Sequence, residues 1–304
     1  MAWMTSTRSS DSDLAVRALE WYGLCARDLP WRRPEVGPWA VLVSEVMLQQ
    51  TPVNRVLPAY EAWLERWPTP AALAADRPAE AVRMWGRLGY PRRALRLHAT
   101  AMAVVAKHAG QIPADLESLL ALPGVGTYTA RAVAAFAFRQ RHAVIDVNVR
   151  RVLSRILDGR DDDRPTTSRA DLLRLENLLP DDPESAAQAS VALMELGALV
   201  CTARAPRCAA CPLGEGCAWL AAGAPVAASG TRRAQTYAGT DRQVRGRIMA
   251  VLRERPAPVA QADLDVVWDE PAQRERALTS LLTDGLVVRV GPGVYALPGD
   301  GGEA

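Results

Sequence analysis

The sequence predicts a mainly α-helical protein that ends in a small domain of the winged-helix type. Apolar residues recur at helical spacing through most of residues 14–200. Strand-like alternation is almost absent before residue 230, which favours an all-α body. Residues 241–304 instead combine three helical patterns with two short alternating segments around Gly291-Pro292-Gly293, which is typical of a β-hairpin.

Proline and glycine separate the helical patterns and set the predicted boundaries. The predicted helices of the body are Leu14–Cys25, Trp39–Leu48, Val53–Trp67, Ala79–Leu88, Arg93–His108, Leu116–Leu122, Thr129–Phe138, Val149–Ile156 and Ser185–Val200. The predicted elements of the C-terminal domain are helices Gln243–Arg253, Gln261–Trp268 and Ala272–Asp284 and strands Leu286–Val290 and Val294–Leu297. Ala221–Gly239, rich in Ala, Gly and Ser, is predicted to be a linker.

Composition limits the class of protein. Of 304 residues, 49% are hydrophobic, which is enough for ordinary cores, and the net charge is only +2. The N-terminus lacks the apolar region of a secretory signal. No apolar run reaches the roughly 18 residues of a membrane helix. We therefore expect a soluble, cytoplasmic protein that does not bind membranes.

Four of the five cysteines lie close together in the sequence, at Cys201, Cys208, Cys211 and Cys217. Four thiolates can ligate a [4Fe–4S] cluster or a tetrahedral zinc ion. Zinc sites usually contain two short cysteine pairs, whereas only one is present here, so the spacing favours iron–sulfur. A disulfide pair is the alternative, but nothing indicates an oxidising compartment. The fifth cysteine, Cys25, is expected in the core.

The segment Leu122-Pro123-Gly124-Val125-Gly126 is typical of a helix-hairpin-helix. One apolar helix ends at Leu-Pro, and Thr127 opens the next directly after two glycines. Backbone N–H groups at such a helix start can bind a DNA phosphate without reading sequence. An ordinary turn between two helices is the alternative.

Two carboxylates suggest acid–base chemistry. Glu45 lies within an otherwise apolar helix, where burial would raise its pKa and suit a general acid. Periodicity alone favours the alternative, a narrow solvent-exposed stripe beside Ser44. Asp146 precedes a predicted helix, where it can act as N-cap and stay ionised. One protonated and one ionised carboxyl group can together cleave a glycosidic bond.

Several longer strings occur in an order that identifies a family. They are Leu29-Pro30-Trp31-Arg32, Ser44-Glu45-Val46-Met47-Leu48-Gln49-Gln50-Thr51, Gly89-Tyr90, Leu122–Gly126, Asp146-Val147-Asn148-Val149, Met194-Glu195-Leu196-Gly197 and the four cysteines. Residues 14–220 thus resemble the helix-hairpin-helix DNA glycosylases that carry a [4Fe–4S] cluster. Within them, the match is to the A/G-specific adenine DNA glycosylases of the MutY type.

The resemblance implies two helical lobes followed by the winged-helix-like domain. Residues 1–32 and 146–220 would form the lobe with the iron–sulfur loop, and residues 33–145 a six-helix barrel with the helix-hairpin-helix. Residues 221–240 would be the linker, and residues 241–304 the C-terminal domain. The cysteines Cys201, Cys208, Cys211 and Cys217 would hold the cluster.

The resemblance also implies a reaction. Glu45 would protonate adenine at N7 and then activate water. Asp146 would stabilise the oxocarbenium ion or trap it briefly as a covalent adduct, and Tyr128 and Asn148 would position these groups. Endonuclease III enzymes carry a lysine where this chain has Tyr128, and the chain's one lysine is Lys107. Without imine chemistry, the enzyme is expected to release the base and leave the strand intact.

Further positions match family residues that contact DNA. Those of the adenine pocket are Arg27, Leu29, Trp31, Arg32 and Glu195, and those wedged into the duplex are Gln50 and Tyr90. Those near the DNA backbone are Gly124, Val125, Gly126, Arg204 and Arg207. The expected partner is double-stranded DNA with A:8-oxoguanine or A:G mispairs, bound by a monomer.

The chain departs from the family at its end, and two other functions remain open. Adenine glycosylases usually end in a larger Nudix-like domain that recognises 8-oxoguanine, whereas this tail is short. Pro91 also stands where the family often has a second aromatic residue. The alternatives are a mismatch thymine glycosylase acting on T:G and a non-catalytic DNA-binding protein stabilised by metal.

Overall fold

The computed structural model describes residues 7–161, 166–225 and 237–301, with side chains from residue 13 onward. Its helices are α1 Thr7–Cys25, α2 Pro38–Leu48, α3 Val53–Arg66, α4 Pro70–Ala74, α5 Pro78–Trp85, α6 Arg92–His108, α7 Leu116–Leu120, α8 Thr127–Phe138, α9 Val147–Asp158, α10 Arg169–Leu178, α11 Pro183–Leu199, α12 Ala218–Ala221, α13 Asp241–Glu254, α14 Gln261–Asp265 and α15 Pro271–Thr283. Its strands are β1 Val259–Ala260, β2 Val288–Gly291 and β3 Val294–Ala296. The predicted mainly α class with a small C-terminal sheet is confirmed.

The chain divides into two compact units. The first contains the described residues of Met1–Val41, Ala114–Leu120 and Gly126–Arg232, and the second those of Leu42–Pro113, Ala121–Val125 and Arg233–Ala304. The C-terminal domain therefore belongs to the second unit. Most of the predicted linker, residues 226–236, lies outside the described residues.

The core of the first unit forms where α9 and α11 pack together and α1 covers α11. Fully buried apolar side chains such as Val149, Leu175 and Leu196 fill it. Side-chain caps fix where its helices begin. Asp146 caps α9, and Asp182 accepts a hydrogen bond from the backbone of Ser185 at the start of α11. The cap at Asp146 thus places a predicted catalytic carboxylate at a rigid helix start.

The helical part of the second unit is built around tryptophans. Trp63, Trp67 and Trp85 are almost completely buried. The ring of Trp63 meets those of Trp67 and Trp85 edge-on, with centroids 4.6 and 5.7 Å apart. Such pairs favour specific orientations, so these rings fix how α3 and α5 pack.

The C-terminal domain has one more strand than expected. Its antiparallel sheet has the order β1-β3-β2, with Tyr295 opposite both Val259 and Arg289. Strand β1 has only two residues, too few to show an alternating pattern. A hairpin completed by this short strand beside three helices agrees with the winged-helix type. In the described part of the chain, no helix has the length and apolar character needed to span a membrane.

Candidate active site and cysteine cluster

Glu45 lies in the C-terminal half of α2, a helix whose other residues are mostly apolar. It is 8% exposed, and its neighbours Ser44 and Val46 are also buried. The alternative of a solvent-exposed stripe is therefore wrong, because Ser44 is itself only 1% exposed. Helix α2 is apolar on all sides, so periodicity could not distinguish a buried glutamate from an exposed one. Its burial is what a general acid requires.

Asp146 is a half-buried N-cap that accepts three hydrogen bonds. Its Oδ1 accepts from the backbone N–H groups of Asn148 at 2.9 Å and Val149 at 2.8 Å, and its Oδ2 accepts from Asn148 Nδ2 at 2.7 Å. Burial raises the pKa of Asp146 above its usual value, whereas the three donors and nearby Arg151 act to lower it. The carboxylate is oriented by backbone and amide donors that do not neutralise its charge.

Arg151, which the sequence did not single out, holds Asn148 in place. It donates to Asn148 Oδ1 at 2.8 Å, to the carbonyl of Gly197 at 2.6 Å and to the carbonyl of Cys201 at 2.7 Å. The amide of Asn148 therefore has one orientation, with its nitrogen toward Asp146. A Cβ at Gly197 would lie 2.7 Å from Asn148 Cβ, which explains the glycine in the Met194–Gly197 string.

Glu195 is a fully buried carboxylate held by two arginines. Arg27 donates to both of its oxygens at 2.7 Å, and Arg32 donates to Oε2 at 2.9 Å. These bonds outweigh burial and lower the pKa of Glu195 to about 2. Nη1 of Arg32 is buried without a hydrogen-bond partner among the described residues. It is a donor still available to a ligand.

Leu29 and Trp31, which are predicted to line the adenine pocket, lie in the same unit as Tyr128. Leu29 and Trp31 are 5% and 8% exposed, so both side chains are largely buried. Tyr128, in the first turn of α8, is half-buried and packs against a small cluster that includes Val144 and Ala187. These residues can shape a pocket, but they carry no charge for the reaction.

Replacing Glu195 with glutamine is expected to lower stability in a pH-dependent way. Its folded pKa of about 2 lies below the ordinary 4.5, so the ion pair stabilises the fold above about pH 4.5. That stabilisation, roughly 3 kcal/mol, is lost as the pH falls from 4.5 towards 2. Urea unfolding of both proteins across this range measures it. If the difference in unfolding free energy between the two proteins stayed constant with pH, the lowered pKa of Glu195 would be contradicted.

Gln50 and Tyr90 share an unusual backbone conformation. Both adopt left-handed φ angles, +56° and +49°, and both are exposed. Such angles are uncommon outside glycine and mark residues held by their surroundings. Both side chains are thus presented outward from strained turns, which suits residues that enter a duplex.

The buried side chain of Arg93 joins the two turns. Nη1 donates to the carbonyls of Val46, Met47 and Gln49, at 2.9, 3.1 and 2.6 Å. Nη2 donates to Thr51 Oγ1 and to the carbonyl of Gly89, both at 3.0 Å. Arg93 thus ties the end of α2, which carries Glu45, to the turn before Tyr90. Arg93 is one of 35 arginines, and nothing in the sequence indicates that it has this role.

Replacing Arg93 with methionine is expected to destabilise the protein by about 3 kcal/mol, because buried carbonyls lose their donors. The adenine release that the family resemblance implies should also slow, since neither turn would keep its position. Urea unfolding and single-turnover excision measure the two effects. The nearby Arg87→Met is the control, since Arg87 is exposed. Equal effects of the two substitutions would refute the role of Arg93.

The predicted hairpin is supported by contacts within the second unit. Gly124 has φ +77°, and a Cβ there would lie 2.8 Å from Arg96 Cβ, so only glycine fits. Thr100 Oγ1 donates to the carbonyl of Pro123 at 2.6 Å. The N–H of Val125 already donates to the carbonyl of Leu122 at 3.2 Å. Val125 therefore serves the turn itself. Gly126 is the N-cap of α8.

The two arginines of the cysteine loop differ in their surroundings. Arg207 donates through its guanidinium to the carbonyl of Leu199 and through its backbone N–H to that of Val200. Arg204 is exposed. Arg207 thus anchors the loop, and Arg204 is better placed to meet a phosphate.

All four clustered cysteines line one cavity in the first unit. Its other lining residues are Arg155, Ile156, Leu196, Val200, Gly214, Trp219 and Leu220. Burial raises the pKa of the Cys211 thiol to about 11, and it raises the pKa of Cys208 as well. Nearby cysteines add to both shifts, so the sulfur atoms are close enough to repel one another as thiolates. A cationic group bound among them would relieve this repulsion.

Contacts of Arg155 hold the cysteine loop in place beside the cavity. Among the residues that the structure describes, no three His, Cys, Asp or Glu side chains converge as one metal ion requires. Zinc would need sulfur atoms about 2.3 Å from one point. Arg155, 2% exposed, donates to Cys201 Sγ at 3.4 Å and to the carbonyl of Thr202 at 2.8 Å. The loop is therefore fixed around the cavity.

Cys25 is exposed at the end of α1, so the prediction that it lies in the core is wrong. Leu24 beside it is 88% exposed, which shows that the last turn of this helix extends beyond the core. Cys25 takes no part in the cysteine cluster.

Comparison with known proteins gives a consistent result. Residues 43–177 match the model of the HhH-GPD superfamily base excision DNA repair proteins. The chain is 55% identical to an adenine DNA glycosylase of Mycolicibacterium smegmatis over 94% of this chain and 96% of the relative. It is 36% identical to a thymine-DNA glycosylase of Aeropyrum pernix over 66% of this chain and 91% of that one. A solved thermostable thymine-DNA glycosylase is similar with a TM-score of 0.66 and 25% identity, over 71% of this chain and 99% of that one.

Proposed function

Because the chain belongs to the adenine DNA glycosylases of the HhH-GPD superfamily, we propose that it excises adenine paired with 8-oxoguanine or guanine in duplex DNA. The observation that carries this proposal is the contrast between its two carboxyl groups. Glu45 is 8% exposed within a mostly apolar helix, whereas Asp146 accepts three hydrogen bonds. Burial favours the protonated form of Glu45, as a general acid requires, and the three donors fix the orientation of the Asp146 carboxyl group, whose pKa is raised by burial.

The first step is exposure of the base. Adenine inside a duplex is out of reach, so it must rotate out of the stack, which costs a few kcal/mol. We assign Gln50 and Tyr90 to fill the gap, because both side chains are exposed on turns that Arg93 holds. The flipped base would then meet the buried donor of Arg32.

Bond cleavage follows. Glu45 donates its proton to N7 of adenine, and the N-glycosidic electron pair leaves with the base. Asp146 stabilises the positive charge that develops on the sugar. Glu45, now a carboxylate, takes a proton from the water that attacks C1′. The products are free adenine and an abasic site, and Tyr128 provides no amine to cleave the strand.

The four cysteines would hold a [4Fe–4S] cluster in the cavity that they line. Bound there, the cluster would be structural and would shape the loop that presents Arg204. We expect Cys211→Ser to remove the brown colour and the equal amounts of iron and sulfide from the purified protein. Visible absorbance and iron analysis measure this, with the exposed Cys25→Ser as control. A colourless protein that contained zinc would refute the cluster.

Duplexes that carry A:8-oxoguanine, A:G and T:G mispairs test the function. The purified protein is expected to release adenine from the first two under single-turnover conditions. Strand breaks should appear only after alkali treatment, because the enzyme itself leaves an abasic site. Excision at T:G alone would establish the thymine glycosylase alternative. Tight binding without release from any duplex would establish the non-catalytic one.

A further inference from the structure

The C-terminal domain is fixed to α5 by one nearly buried carboxylate. The side chain of Asp300 is 2% exposed and accepts hydrogen bonds from Arg77 at 3.1 Å and from Arg83. Arg83 also donates to the carbonyls of Arg253 and Arg255, at 3.3 and 3.0 Å. A single arginine thus joins two parts of the C-terminal domain to the helical part of its unit.

Two further contacts lie on either side of this ion pair. A Cβ at Gly299 would lie 3.0 Å from Pro78 Cδ, so the chain end packs directly against the start of α5. Asp284 accepts from Arg92 at 3.1 Å and from Arg245 of α13 at 2.6 Å. Arg92 is only two residues from Tyr90, so the docked domain is anchored beside the Tyr90 turn.

At this place, α13 presents a guanidinium group to Tyr90. The Cζ atom of Arg242 lies 5.7 Å from the ring centroid of Tyr90 and 5.8 Å from that of Tyr237. Both distances are within the range of a cation–π contact. A Cβ at Gly246 would lie 2.9 Å from Tyr237 Oη, so a glycine one turn along α13 makes room for that second ring.

We propose that Arg242 is a positioning residue through which the C-terminal domain holds Tyr90 for base flipping. This inference rests on the proposed excision of adenine and on the part of Tyr90 in it. It gives the tail a role in the reaction that requires neither base recognition nor a DNA contact of its own.

The geometry at Tyr90 supports this role. Its ring has two cationic neighbours, because Arg93 Cζ lies 5.6 Å from the same centroid as Arg242. Arg93 belongs to the helical part of the unit and Arg242 to the C-terminal domain. The ring is nevertheless 53% exposed. Its orientation can therefore be set before DNA binds, while enough of its surface stays open to meet a base.

A double-mutant cycle in the full chain tests the proposal. Single-turnover excision from A:8-oxoguanine is measured for the wild type, Arg242→Ala, Tyr90→Ala and the double variant. Arg242→Ala should slow excision about fivefold, the factor expected for loss of an exposed cation–π contact. Tyr90→Ala should slow it further. Adding Arg242→Ala to Tyr90→Ala should then change nothing, because the arginine acts through the ring.

The matched control is Arg247→Ala. Arg247 lies on the same helix and stacks on Trp268, with Cζ 4.9 Å from the ring centroid, but within the C-terminal domain. It should leave excision unchanged, and Arg242→Lys should restore most of the rate by returning a cation. The proposal is overturned if Arg242→Ala slows excision no more than Arg247→Ala does. It is also overturned if Arg242→Ala still slows excision in the Tyr90→Ala background. Failure of the wild type to release adenine would instead overturn the proposed function.

Discussion

Replacing Asp146 with asparagine is expected to slow adenine release by about 10²–10³-fold, because the sugar cation loses its fixed anion. Asparagine is an equally good N-cap, so α9 should keep its start. Only the bond from Asn148 Nδ2 is lost, because an amide nitrogen replaces its acceptor Oδ2. Single-turnover excision measures the rate, and a gel-shift or anisotropy titration shows that the damaged duplex still binds.

Two further measurements distinguish the catalytic role of Asp146 from its role as the N-cap of α9. Asp182→Asn is the matched control, since Asp182 caps α11 in the same unit and has no proposed part in catalysis. In the wild type, activity should fall as the pH drops through the raised pKa of Asp146, and Asp146→Asn should lack this acid limb. Unchanged base release by Asp146→Asn would remove the residue from the mechanism.

Replacing Glu45 with glutamine is expected to slow release by about 10²–10⁴-fold, the usual contribution of a general acid. Glutamine has nearly the same shape, so the packing of α2 should survive. The same change at the exposed Glu61 is the control, because it alters net charge equally in the same unit. Thermal unfolding of both variants confirms that neither has lost the fold.

A modified substrate provides an independent test of whether Glu45 protonates N7 of adenine. An adenine analogue with carbon in place of N7 has no atom to receive the proton, so the wild type should release it very slowly. Glu45→Gln should then make little further difference with this analogue. Rapid release of the analogue by the wild type would show that protonation occurs elsewhere.

Patterns in the sequence predicted the helices well, because each depends on local spacing and on its ends. They missed α10, although Ser168 and Asp171 form a capping box at its start. They also missed β1, whose two residues are too few for any periodicity. The burial of Glu45 and the exposure of Cys25 depend on packing between distant segments, which no local pattern records.

Sequence patterns also missed the arginines that hold the candidate site residues in place, and this was the larger omission. Arg93, Arg151 and Arg155 each donate to two or more backbone carbonyls, yet nothing distinguishes them in sequence from the other arginines. Candidate catalytic residues could be named because the resemblance supplies their motifs. The residues that hold them become visible only when hydrogen bonds can be traced.

The hydrogen bonds of Arg151 have a practical consequence for purification of this protein. The same guanidinium contacts the carbonyl of Cys201 and the amide that orients Asp146. Damage at the cysteine loop, by air or by a chelator, would therefore alter turnover even in molecules that remain folded. With the proposed cluster bound, the active fraction of each preparation would follow its iron content, and batches should be compared per mole of iron.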